Sequence, residues 1–89
     1  MQINKPFAFG SLTGTIFDFT EAGDILPRHS HPAGSVHISI VARGSFKAAG
    51  EGWEKTLPCG AVVDWQANRW HEFTALENDS RLVNVVKDN

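Results

Sequence analysis

The feature that most limits what this chain can fold into is the regular return of turn-forming residues. Gly10-Ser11, Ala22-Gly23-Asp24, Pro32-Ala33-Gly34, Gly44-Ser45, Gly50-Glu51-Gly52, Pro58-Cys59-Gly60, Gln66-Ala67-Asn68 and Glu77-Asn78-Asp79-Ser80 punctuate it at short intervals. Between them stand TGTIFDFT, VHISIVAR, AVVDW, WHEFTAL and RLVNVVK, segments rich in β-branched and aromatic side chains. Such side chains pack well on a pleated surface, and Gly, Pro, Asn and Asp supply the backbone angles that connect short strands. No segment sustains helical spacing of apolar residues over about ten positions. The expectation is an all-β chain built as a sandwich or barrel.

Strand alternation assigns faces. In VHISIVAR, His37, Ser39, Val41 and Arg43 share one face, and Val36, Ile38, Ile40 and Ala42 the other, because successive side chains of a strand point to opposite sides. Both faces are partly apolar, so each needs a cover. A barrel interior takes one. The other calls for a second copy of the chain, in a homodimer, or for an overlying N-terminal strand from Ile3-Asn4-Lys5-Pro6-Phe7-Ala8-Phe9.

Composition bounds the rest. The 89 residues make one domain, and a domain of this size buries only about 60–65% of its unfolded surface, so a metal or a partner subunit would help to hold it. Hydrophobic content of 42% and charged content of 20% are those of a globular chain. A formal net charge of −2 gives no basic surface for nucleic acid or anionic lipid, and neither is expected as a partner. The one cysteine, Cys59, excludes an internal disulfide and has no histidine or basic residue beside it to activate its thiol. With no signal-like apolar core at the N-terminus and no apolar run near the ~18 residues that span a bilayer, the chain reads as cytoplasmic.

Three of the four histidines fall in one short stretch, PRHSHPAGSVH. His29 and His31 are two apart, so on a strand they share a face with about 6.5–7 Å between them, a spacing from which two imidazoles can converge on one ion. His37 follows a Pro-Ala-Gly-Ser turn, and a hairpin there would bring it opposite the pair.

These residues sit within a wider pattern. Gly23, His29, His31 and Gly44 in GDILPRHSHPAGSVHISIVARG, followed by Gly52, Pro58 and Gly60 in GWEKTLPCG, resemble the two conserved motifs of the cupin superfamily. The resemblance covers about residues 12–87 and implies a single small jelly-roll β-barrel, two antiparallel sheets within a domain spanning 1–89, with a metal inside. It also implies the ligands: His29 and His31 from the first motif, His71 of ANRWHEF from the second, and His37 where related barrels place a glutamate. His37 follows His31 at a longer gap than that glutamate does, and the alternative second-motif histidine position is Val63, so His71 corresponds to a longer-loop variant.

Four neutral imidazoles would leave the full charge of a divalent ion uncompensated and draw an anionic ligand to it. In an octahedral ion two positions would stay open; imidazole suits Fe, Ni, Zn or Cu, and the cupin resemblance adds Mn. The expected function is therefore that of a cupin binding one divalent transition metal, with dioxygenase-like, isomerase or lyase chemistry on a small organic acid or dicarbonyl compound. The alternative is a non-catalytic ligand-binding or sensor cupin. Asp18, Ser39, Asp64 and Asn84 are candidate partners for the second imidazole nitrogens. Arg43, of the same strand parity as His37, is a candidate contact for a substrate carboxylate at the barrel mouth. Phe73, of His71 parity, is expected in the cavity, and Trp70, of opposite parity, in an interface.

Overall fold

The structure is a computed structural model, and it describes residues 1–4, 6–30, 36–65 and 69–87. The turn signals at 32–34 and 66–68, and His31, lie outside the described residues. Ten strands run β1 Gln2–Ile3, β2 Phe7–Phe9, β3 Leu12–Phe19, β4 Ile25–His29, β5 Val36–Arg43, β6 Phe46–Gly50, β7 Trp53–Leu57, β8 Val62–Trp65, β9 His71–Ala75 and β10 Ser80–Lys87. They form two antiparallel sheets, and no helix occurs among the described residues. In the larger sheet the order is β1-β3-β10-β5-β8, with β2 also on β3; the smaller is β4-β9-β6-β7.

The turn chemistry accounts for the short connections. Gly10, at φ 62°, opens the two-residue turn between β2 and β3, a position where only a residue without Cβ adopts positive φ at no cost. The inner faces of the two sheets meet in one core of Phe19, Leu26, Val41, Phe46, Ala48, Leu57, Phe73, Ala75 and Leu82. Phe46 lies edge-on to Phe19 at 4.9 Å and to Phe73 at 6.4 Å between ring centroids, the arrangement the ring quadrupole favours.

The alternation read for β5 holds over most of its length: His37, Ser39 and Val41 are each 1% exposed. It fails at the strand's end. Val41 pairs with Leu82 but Arg43 with Arg81, so Ala42 is an extra residue and a β-bulge. The bulge turns Arg43 to the outside of the sheet. The hairpin expected between His29 and His37 is also absent, because β4 and β5 belong to different sheets. His37 consequently faces His29 across the barrel instead of beside it.

The N-terminal segment does not overlie the second face of β5. β1 and β2 both pair along the free edge of β3, at Phe17–Asp18 and Leu12–Gly14. The Phe7 ring lies over Gly14, where a Cβ would collide with it.

Candidate metal centre and ligand cleft

Strand register gathers the candidate side chains into one row at one end of the barrel. On the smaller sheet His71 pairs with His29 on one side and Gly50 on the other, and Gly50 pairs with Trp53. On the larger sheet His37 pairs with Val86 and with Trp65. The three described imidazoles therefore meet: ring centroids are 4.3 Å apart for His29–His71, 5.3 Å for His37–His71 and 6.2 Å for His29–His37.

His29 reaches this row through a second bulge. Leu26 pairs with Phe73 and His29 with His71, so β4 spends three steps where β9 spends two. Plain alternation from Leu26 would have brought Arg28 inward. Arg28 instead lies over the Trp70 ring, its guanidinium carbon 4.1 Å from the centroid, a cation–π contact. His29 Nδ1 is 2.9 Å from the Pro27 carbonyl oxygen. A carbonyl can only accept, so Nδ1–H is the donor, the arrangement in which a neutral histidine ligates through Nε2.

A buried polar chain supports the row from behind. The Trp65 Nε1–H donates to Ser39 Oγ at 2.8 Å, and Ser39 Oγ–H donates to Asn84 Oδ1 at 2.6 Å. This holds the Trp65 indole parallel to His71, with centroids 4.2 Å apart and 14° between planes. Trp53 then stacks on Trp65 at 5.8 Å and 25°. Gly50 makes the seat possible, since a Cβ there would run into the Trp53 indole.

Of the four candidate partners for the imidazoles, Ser39 and Asn84 face the interior. Asp18 does not. It lies on the outer face, where it accepts from Arg81 Nε at 2.8 Å, Arg81 Nη2 at 3.2 Å and Asn4 Nδ2 at 2.7 Å. The Arg81 hydrogen bond, with Asn4 and the nearby Arg43 charge, holds the Asp18 carboxyl below its ordinary range against the opposing effect of burial. Arg43 belongs to this outer cluster: it donates to the Asp79 carbonyl at 2.8 Å and to the Asp79 carboxylate at 2.9 Å. The structure thus brings His29, His37 and His71 together and leaves Arg43 away from them. Asp64 is exposed beside Trp65. Cys59 is exposed, and its thiol lies 3.8 Å from the Ala42 carbonyl oxygen.

The imidazoles stand between two clefts. One, of about 650 Å³, has Trp53, Trp65, Trp70 and His71 in its walls. The other, of about 400 Å³, is lined by Thr15, Phe17, Leu26, His29 and Asn84 among others. Phe73 lies beneath His71, with centroids 5.9 Å apart, and is fully buried. Sequence reasoning did not single out Trp65 as the residue behind His71. The signal was present, because in AVVDW it shares parity with inward-facing Val63.

Imidazoles on one ion with nitrogens near 2.1 Å have ring centroids roughly 4.6 Å apart at right angles and roughly 6.5 Å apart when trans. The three separations span nearly that range, and an all-nitrogen donor set is of the type that suits a divalent transition metal. As they stand, no three His, Cys, Asp or Glu side chains among the described residues are arranged to hold an ion.

No family model and no curated protein matches the sequence. Solved structures do match the fold. KdgF from a Halomonas species superposes with a TM-score of 0.82 at 24% identity, over 96% of this chain and 76% of that one. An RmlC-like cupin protein from Desulfovibrio desulfuricans gives 0.82 at 23%, over 97% and 80%. The fold is that of a cupin. The cupin domain of Schizosaccharomyces pombe Cnp3 extends the likeness to 9% identity, with a TM-score of 0.78 over 100% of this chain and 69% of that one. At such identities the cupin fold is shared while function is left to the site. No helix among the described residues is long and apolar enough to cross a membrane.

Proposed function

We propose that the protein is a metal-binding cupin whose imidazole row takes one divalent transition metal and, on it, a small organic acid or dicarbonyl compound. The observation that carries this reading is the meeting of His29, His37 and His71 from three strands and both sheets, with centroids 4.3–6.2 Å apart. His31, two residues beyond His29, is the fourth proposed ligand. When bound, the ion would supply Lewis acidity and sites for an anionic oxygen ligand, uncompensated by any carboxylate in the donor set. Pro27 fixes the His29 tautomer, and Trp65, tied to Ser39, holds the face of His71.

Two activities fit such a row: dioxygenase-like or isomerase/lyase chemistry, and ligand binding or sensing without turnover. The second is favoured by the occupation of the nearby polar groups. Ser39 and Asn84 are bonded to each other, and Arg43 is committed to Asp79 on the outer face. Oxygen uptake and turnover by protein loaded with iron, manganese or zinc, across small dicarbonyls, thiols and phenolic acids, separate the two. Turnover that disappears in His37→Ala supports catalysis. Thermal stabilisation by the same compounds without turnover supports binding, and neither response in any metal form overturns the proposal.

The assembly proposed is a homodimer through the outer face of the larger sheet. There Ile38, Ile40, Val62, Val83 and Val85 share one side by register, and Val36 and Val62 are 44% and 64% exposed. The N-terminal strands sit at the β3 edge and leave this surface open. Light scattering is expected to give the mass of two chains, and Ile40→Lys the mass of one. A monomeric wild type would refute the assembly.

A further inference from the structure

All three tryptophans of the chain line one cleft, and two of them continue a stack that begins at a buried histidine. From His71, 1% exposed, the ring faces step outward through half-buried Trp65 to Trp53, 43% exposed. The seat of Trp53 is built. Gly50 gives its indole room, and Trp65 beneath it is held by the Ser39 hydrogen bond. A large aromatic surface fixed in place yet open to water is a poor core residue and a good platform.

We propose that this staircase is a binding subsite for a neutral pyranose ring laid flat on the Trp53 face. A pyranose has one face of C–H bonds, which suits the negative face of an indole, and an edge of hydroxyls. The walls of the cleft offer that edge both kinds of partner. Glu51 is an acceptor for hydroxyl protons, and Arg69 is a donor to hydroxyl oxygens. The cleft, at about 650 Å³, is of ligand-binding size.

The wall charges choose between a neutral ring and an acid. One carboxylate, Glu51, against one guanidinium, Arg69, leaves the wall without a net charge to draw an anion, and the Arg28 guanidinium is already spent on Trp70. A flat aromatic ring would use the indoles and leave Glu51 and Arg69 without a task. The subsite stands apart from the metal proposal, touching the histidine row only where His71 closes the inner end. Its binding is therefore expected with or without metal.

Heteronuclear NMR on the whole protein, following the three indole N–H resonances during titration with the methyl glycosides of glucose, galactose and mannose, tests it. At least one glycoside should move the Trp53 and Trp65 signals saturably at millimolar concentration, equally with metal added and with chelator present. In Trp53→Ala the affinity should fall about tenfold or more, while Trp53→Phe retains part of it. No saturable shift with any of the three, undiminished binding in Trp53→Ala, or binding of benzoate in their place overturns the proposal. Binding that requires metal would do so too, because the ring would then sit on the ion and not on the indole.

Discussion

The two ends of this barrel are built from the same strands to opposite standards. At one end Phe19, Phe46, Phe73, Leu82 and Val41 are each at most 1% exposed, and Ser80 is the one fully buried polar side chain named among them. At the other, two to four residues away on the same strands, stand His37, Ser39, His71 and Asn84, joined by His29 of β4 and flanked by open clefts. The closed end supplies stability through buried apolar area. The open end forgoes that area to hold polar groups in one place. A chain of 89 residues can do both because the sheets are continuous from one end to the other, so that packing at the closed end sets register at the open one.

If that division is right, the largest effect comes from the closed end. Phe46→Ala should cost about 3–5 kcal/mol, measured by denaturant unfolding, and in a small domain that approaches the whole stability. A loss under ~1 kcal/mol would mean that the rings of Phe19 and Phe73 do not depend on it. Next, Ser39→Ala removes the link between Trp65 and Asn84 and should cost about 1–3 kcal/mol. Its distinguishing mark is a changed Trp65 emission, which a purely structural defect at the closed end would not give.

The smallest effect lies outside the barrel. Asp18, with its pKa depressed mainly by Arg81, contributes stability above the ordinary aspartate range that is lost as pH falls through its folded pKa. Asp18→Asn should therefore lower stability at pH 7 by under ~1 kcal/mol, as befits a partly exposed pair, and flatten the acid side of the profile below pH ~4. An unchanged acid limb would detach this cluster from folding.

The contrast between the ends also explains what the sequence made legible. Turn spacing and alternation carried the all-β architecture and the inward face of His37, Ser39 and Val41, because a period of two survives wherever the ladder is regular. Two single-residue bulges escaped it. One, in β4, turns His29 inward and Arg28 outward; the other, at Ala42, turns Arg43 away from the interior. A bulge leaves no mark in hydrophobic periodicity, and each occurs where an arginine or a histidine changes face. Sheet membership was equally hidden, since β4 and β5 are neighbours in sequence and belong to opposite sheets. His29, His37 and His71 still come together, because His37 approaches from across the barrel.

The central claim is that the open end exists to hold an ion, and elemental analysis of the purified protein after iron, manganese and zinc supplementation tests it most directly. The account predicts one divalent metal per chain in the wild type and its loss in His37→Ala and His71→Ala, while both variants keep the far end of the barrel folded. A wild-type protein without stoichiometric metal would contradict it.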